Sequence, residues 1–142
     1  MQDCPLCQFA GPVLWEDGDL RVIAVADDDY PGFTRVIWKA HIAEMSDLSA
    51  TERARLMLVV NEVENVQRQF LRPDKINLAS FGNQVPHVHW HVIPRWRDDK
   101  HFPDSYWSAA RREPDEAWLQ ARQDRLPAYH EALRTALDTE KY

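Results

Sequence analysis

Two spacings of hydrophobic residues run along the chain, and they predict strands and helices. Alternating or continuous Val- and Ile-rich runs bounded by turn residues indicate strands. Residues 27–32 (Asp-Asp-Asp-Tyr-Pro-Gly) and 81–83 have the composition of turns. Pro94 is expected to end the last strand, since proline donates no ladder hydrogen bond. The predicted strands span residues 20–26, 33–39, 75–80 and 87–93.

A long helix is predicted after Ser49. Ser49 and Glu52 have the spacing of a capping box. An apolar stripe close to the 3.6-residue period follows, and the helix should end near Pro73, because the residue before a proline disfavours helical geometry. Residues 126–137 are predicted to form a short amphipathic helix. One long helix packed on an antiparallel sheet is an α+β architecture.

The composition is that of a globular protein. The chain has 142 residues, of which 44% are apolar and 28% charged, which fits a single domain spanning residues 1–142. The net charge of -6 argues against a nucleic-acid backbone as partner, although not against a single nucleotide. No apolar run approaches the roughly 20 residues that cross a bilayer. The first residues lack the features of a secretory signal, so we expect a cytoplasmic protein.

Three of the six histidines alternate along the last predicted strand, at His87, His89 and His91. Alternate side chains share one face of a strand, so the intervening apolar residues should face the core. All three cannot easily hold one metal ion, because the outer two lie about 13 Å apart at roughly 3.3 Å per residue. Imidazoles can instead attack phosphorus and bind phosphate oxygens. The alternative is a polar face of solvated histidines.

Residues 82–94, Gly-Asn-Gln-Val-Pro-His-Val-His-Trp-His-Val-Ile-Pro, resemble the signature of the histidine-triad (HIT) family, H-φ-H-φ-H-φ-φ with φ apolar. Residues 38–42 resemble the family's upstream segment, in which a histidine ends the strand before the helix. The resemblance covers about residues 4–95 and leaves 96–142 as a polar, partly helical C-terminal extension. It implies a homodimer in which the sheets of two protomers are joined.

The resemblance also implies an activity: nucleotidyl transfer or hydrolysis at the α-phosphorus of a dinucleoside polyphosphate or nucleoside phosphoramidate. It implies that His89 is the nucleophile, forming a covalent nucleotidyl-histidine, and that His91 and Asn83 bind phosphate oxygens. His87 and Gln84 are expected beside the substrate. Many members have Ser or Thr where this chain has Gln84, which leaves the preferred leaving group open. The alternative is a catalytically weak nucleotide-binding or adaptor protein of the same fold.

Cys4 and Cys7 form a C-x-x-C pair, which in a cytosolic protein is more often a metal or redox site than a structural disulfide. Structural zinc commonly takes two cysteines and two histidines. Some members of the wider superfamily, including galactose-1-phosphate uridylyltransferases, place zinc on such a pair, a mid-chain histidine and the first triad histidine. The resemblance therefore implies structural zinc on Cys4, Cys7, His41 and His87. The alternative is a pair of reduced thiols, with His41 hydrogen-bonded in the active-site wall.

The aspartates of the first turn stand where the family often has an acid or amide that grips the ribose hydroxyls. Asp27 is the candidate for that role, and a solvated turn is the alternative. His101 and His130 are expected at the surface. The tryptophans are expected mostly in the core or a dimer interface, with Trp107 as a candidate to cap a nucleotide site.

Overall fold

The computed structural model describes residues 4–139. Its strands are β1 (Val13–Glu16), β2 (Leu20–Ala24), β3 (Thr34–Trp38), β4 (Lys75–Ala79) and β5 (His89–Arg95). Its helices are α1 (Ala50–Phe70), α2 (Glu116–Gln123) and α3 (Leu126–Thr139), with a short 3-10 turn at Met45–Asp47. The strands form one antiparallel sheet in the order β1-β2-β3-β5-β4. The predicted α+β architecture is confirmed.

The helix α1 begins and ends where the sequence predicts. The Glu52 amide donates to Ser49 Oγ at 3.1 Å, and the Ser49 amide donates to Glu52 Oε1 at 2.7 Å, which completes the capping box. The helix ends at Phe70, shortly before Pro73. Its buried side chains pack on the sheet and include Leu56, Val60 and Val63.

The two faces of the sheet have different partners. Val36 and Val92 belong to the main core with α1. Ile37 belongs to a smaller core on the other face, together with Leu6 of the N-terminal segment. Residues directly opposite each other in an antiparallel pair share a face, and Ile37 lies opposite His89. His89 therefore points to the face of the sheet opposite α1.

Two predictions about β5 are wrong. The strand begins at His89, because the His87 amide bonds to the Val85 carbonyl in a turn that precedes the ladder. The strand also continues through Pro94 to Arg95. Pairing with β3 stops at Val92, so Pro94 pairs only with β4, and its missing N–H costs no bond to β3.

The C-terminal extension shares the main core. Helix α3, predicted at residues 126–137, packs on α1 and β1 and buries Tyr129, Leu133 and Leu137. The Tyr129 hydroxyl lies 2.7 Å from Thr34 Oγ1 on β3. The pattern did not predict the shorter elements β1 and α2. No helix among the described residues has the length and apolar character needed to cross a membrane.

Candidate active site and metal centre

His89 is held in one tautomer by the backbone. Its Nδ1 lies 2.6 Å from the carbonyl oxygen of His87. A carbonyl oxygen only accepts, so Nδ1 carries the hydrogen and Nε2 keeps its lone pair in the neutral ring. Burial lowers the pKa of His89 below its ordinary value, against the opposing effect of this hydrogen bond. The ring is thus arranged as a neutral base or nucleophile.

His91 lies beside His89, with the two ring centroids 5.1 Å apart. The Arg35 Nε–H donates to His91 Nδ1 over a long 3.4 Å. An acceptor at Nδ1 carries no hydrogen, so neutral His91 has its N–H at Nε2. Burial, followed by the charge of Arg35, lowers the pKa of His91 to about 4. At neutral pH His91 is therefore an uncharged hydrogen-bond donor.

Aromatic rings surround His91. Phe33 packs against it edge-on with centroids 5.7 Å apart, and Trp107 does the same at 5.2 Å. Phe81 lies 6.3 Å from His91 and 4.8 Å from Trp107. Phe81 is 59% exposed and Trp107 is 48% exposed. Trp107 therefore belongs to the open wall of the site rather than to the core.

A buried ion pair anchors the loop that carries Trp107. Arg95 Nε donates to Asp99 Oδ2 at 2.8 Å, and both side chains are almost completely buried. Asp99 also accepts hydrogen bonds from the backbone amides of Trp96, His101 and Phe102. Arg95 additionally donates to the Asp104 carbonyl. This network fixes the path of the segment that follows β5.

Asp27 is hydrogen-bonded to the loop that carries Trp107. The Tyr106 hydroxyl donates to Asp27 Oδ2 at 2.7 Å, and the Asp29 amide donates to Asp27 Oδ1 at 3.0 Å. Burial, followed by the bond to Asp27, raises the pKa of Tyr106 to about 12. Each carboxylate oxygen thus already has one donor. The Tyr106 ring also packs on Phe33 and Trp107, which links Asp27 to the surroundings of His91.

Asn83 and Gln84 lie on the loop between β4 and β5. Both side chains are exposed and make no hydrogen bond with another described residue. The amides are therefore available to a ligand. His101, expected at the surface, is only partly exposed, and its Nδ1 lies 2.6 Å from the Tyr30 hydroxyl.

The four predicted zinc ligands come together. One ligand atom from each of Cys4, Cys7, His41 and His87 lies within 4.8 Å of the others. Cys7 Sγ is 3.2 Å from His41 Nδ1, and His87 Nδ1 is 3.4 Å from both sulfur atoms. Bonds of about 2.0 to 2.3 Å to a tetrahedral ion place ligand atoms about 3.3 to 3.8 Å apart. Both cysteines are free thiols, so this donor set fits zinc.

His87 is committed to this cluster. Its ring is completely buried, with Nδ1 toward the cysteines and Nε2 against the Trp38 carbonyl oxygen. A backbone carbonyl is one of the usual partners of the second ring nitrogen of a metal-bound histidine. Both ring nitrogens are therefore engaged within the chain, which leaves His87 no polar ring atom to offer a substrate.

Arg35 and Phe81 also lie at the site, although neither was predicted from the sequence as a site residue. Arg35 of β3 lies opposite His91 of β5. Phe81 lies two residues before Asn83 on the loop between β4 and β5. A signal for Arg35 was present, because it is the one charged residue of a largely apolar strand. Phe81 was predicted only as part of a turn, and nothing in the sequence marked it as a site residue.

Comparisons with known proteins agree with this fold. A segment of 78 residues is 31% identical to the AP-4-A phosphorylase of Mycobacterium tuberculosis and covers 51% of this chain. The chain spans only 40% of the length of that relative. A histidine triad protein from Bradyrhizobium japonicum has a TM-score of 0.71 at 24% identity, with 88% of this chain and 89% of that chain covered. A zinc-bound histidine triad family protein from Mycobacterium smegmatis has a TM-score of 0.67 at 24% identity, covering 98% and 99%. The family profile described as HIT domain matches residues 9–98, and the chain therefore belongs to the HIT domain family.

Proposed function

We propose that this protein cleaves a dinucleoside polyphosphate at its α-phosphorus through a covalent nucleotidyl-histidine on His89. The observation that carries the proposal is the tautomer of His89. Its Nδ1 hydrogen is committed to the His87 carbonyl, so Nε2 can attack without first losing a proton. The similarity to the AP-4-A phosphorylase supports a dinucleoside polyphosphate as substrate.

The reaction has two displacements at one phosphorus. In the first, His89 Nε2 forms a bond to the α-phosphorus, and the bond to the leaving-group oxygen breaks with its electron pair. In the second, an oxygen of water, which releases a proton to solvent, or of inorganic phosphate bonds to the phosphorus, and the phosphorus–nitrogen bond returns its electrons to Nε2. His91 Nε2–H and the Asn83 amide are the donors that would hold the oxygens as charge develops.

The need to protonate the leaving group favours a polyphosphate substrate over a phosphoramidate substrate. A polyphosphate departs as a stable anion and needs no acid. An amine must be protonated as it leaves, and the Gln84 amide has no acidic proton to supply. A nucleoside phosphoramidate is therefore the second candidate substrate, cleaved with help from solvent protons.

The test is turnover of diadenosine tetraphosphate with and without inorganic phosphate. Hydrolysis yields AMP and ATP, whereas phosphorolysis yields ADP and ATP. His89→Ala should lose activity by several orders of magnitude, and His130→Ala on α3 is the matched control. If His89→Ala keeps more than about a tenth of wild-type activity, roughly 1.4 kcal/mol in the barrier, His89 is not the nucleophile.

Two further readouts examine the mechanism itself. Mass spectrometry of quenched reactions should find a nucleotidyl adduct on the peptide that contains His89. Two inversions give net retention, so a substrate chiral at the α-phosphorus should give a product of unchanged configuration. Inversion would mean direct attack by water. Tight nucleotide binding with no turnover on any substrate would instead support the binding or adaptor alternative.

We propose that the Cys4, Cys7, His41 and His87 cluster holds a structural zinc ion. Its two thiols, two imidazoles and short ligand-atom distances support the proposal, as does the zinc-bound relative of the same fold. Zinc would tie the N-terminal segment and the loop after β3, which carries His41, to the residues just before β5. The His87 carbonyl, which orients His89, belongs to one of the proposed ligands.

We further propose a homodimer joined through β4. This strand is an edge of the sheet, and Leu78 on β4 and Leu58 on α1 are 37% and 52% exposed. Unpaired edges and exposed apolar side chains favour association. Light scattering should give twice the chain mass at micromolar concentration. A monomer at all concentrations up to about 100 μM would contradict this proposal.

A further inference from the structure

Arg35 is a cation without a counter-ion in the described part of the chain. It is partly buried on β3 and forms no ion pair with an acidic side chain of residues 4–139. Other arginines do have carboxylate partners, among them Arg21, Arg95 and Arg111. Withdrawing a charge from water is costly unless it is paired or hydrogen-bonded. Within the described residues the charge of Arg35 is met by one long hydrogen bond, which leaves solvent or a bound anion to compensate it.

The guanidinium also has donors to spare. Nε is the nitrogen that bonds to His91, at 3.4 Å, and neither terminal nitrogen bonds to an acceptor in residues 4–139. These two nitrogens carry four N–H groups in a planar fork, which matches two oxygens of a phosphate. Burial lowers the pKa of Arg35, yet an arginine keeps its charge at neutral pH.

We propose that Arg35 binds the phosphate chain of the leaving group and thereby selects polyphosphate substrates over substrates with an uncharged leaving group. The inference rests on the proposed function. The α-phosphoryl group carries about one negative charge and is already faced by His91 and Asn83. Each further phosphate of the leaving group adds negative charge. The positive charge of Arg35, which lies beside His91, can balance it.

The test compares two substrates that share the adenylyl group. Diadenosine tetraphosphate has a phosphate chain beyond the scissile bond, and adenosine 5′-phosphoramidate does not. Arg35→Gln should lower kcat/KM for the tetraphosphate by about 10- to 150-fold, since hydrogen bonds to charged groups contribute about 1.5–3 kcal/mol and about 1.4 kcal/mol is a factor of ten. It should lower kcat/KM for the phosphoramidate less than about 5-fold. Arg35→Lys should restore part of the loss, because it keeps the charge without the fork. Arg68→Gln, an exposed arginine of α1, is the matched control.

A measurement without turnover separates binding from misplacement of His91. Inorganic tripolyphosphate should bind wild-type protein in calorimetry and should bind Arg35→Gln at least 10-fold more weakly, with weaker binding at higher salt. Equal losses on both substrates in either variant, or unchanged tripolyphosphate binding in a folded Arg35→Gln protein, would overturn the inference. If wild-type protein cleaves neither substrate, the proposed function fails instead, and tripolyphosphate binding still decides the role of Arg35.

Discussion

Replacing Asp99 by asparagine tests whether the buried ion pair holds the loop that carries Tyr106 and Trp107. The carboxylate is completely buried and bonded to Arg95 and to three backbone amides. An asparagine side chain at this position would keep the shape but leave the Arg95 charge uncompensated. Breaking a buried pair from one side costs about 3–5 kcal/mol.

This cost converts into a large shift in melting temperature. An unfolding entropy of about 2.1 cal/mol/K per residue gives about 0.3 kcal/mol/K for the 142 residues. Asp99→Asn should therefore lower Tm by about 10–17 °C. Thermal and urea unfolding followed by circular dichroism measure both quantities.

The matched control is the exposed ion pair between Asp104 and Arg111, in the same loop. Their side chains are 43% and 51% exposed, and such pairs contribute about 0–1 kcal/mol. Asp104→Asn should shift Tm by no more than about 3 °C. The double variant Arg95→Met/Asp99→Asn should be more stable than Asp99→Asn alone, because it leaves no unpaired charge and keeps a side-chain oxygen for the backbone amides. Similar losses for Asp99→Asn and Asp104→Asn would refute the reasoning.

Two further predictions concern the histidines and the cysteines. Protein purified without chelator should contain about one zinc per chain, and Cys7→Ser should lose the metal and melt earlier, since a structural metal stabilises only the folded state; metal-free wild-type protein that melts unchanged would contradict this. The pKa of His91 is lowered from 6.5 to about 4, so the unfolded chain takes up a proton as pH falls through that interval and stability is lost. Between pH 7 and pH 4.5, the free energy of unfolding of His91→Gln should therefore fall by about 1–3 kcal/mol less than that of wild type, after allowance for solvent screening. Urea titrations at both pH values measure this difference. Equal falls in the two proteins would show that His91 does not contribute.

The sequence alone determined the elements that depend on local chemistry. The capping box at Ser49 and Glu52 placed the start of α1, because both of its hydrogen bonds span only three residues. The pattern of apolar and polar residues placed β2, β3, β4 and most of β5. The spacing of His89 and His91 put both rings on one face, since that follows from the strand period alone.

The tertiary structure decided what surrounds those rings. Arg35 and His91 are 56 residues apart, and their contact follows from the register of β3 against β5. Tyr106 and Asp27 are 79 residues apart, and they meet because the loop after β5, which contains the buried Arg95–Asp99 pair, brings Tyr106 to the turn after β2. Neither contact leaves a periodic trace in the sequence.

His87 shows both contributions at a single residue. Its spacing in the sequence indicated a place among the triad and the resemblance to the HIT family implied a role in a zinc site, but the sequence left it on the strand with His89. The fold turns the chain at Val85 and directs the His87 ring toward Cys4 and Cys7, while its carbonyl oxygen faces His89 Nδ1. Local periodicity fixes which way a strand residue points, whereas the partners of the two His87 ring nitrogens, the cysteine sulfur atoms and the Trp38 carbonyl, come from segments distant in sequence.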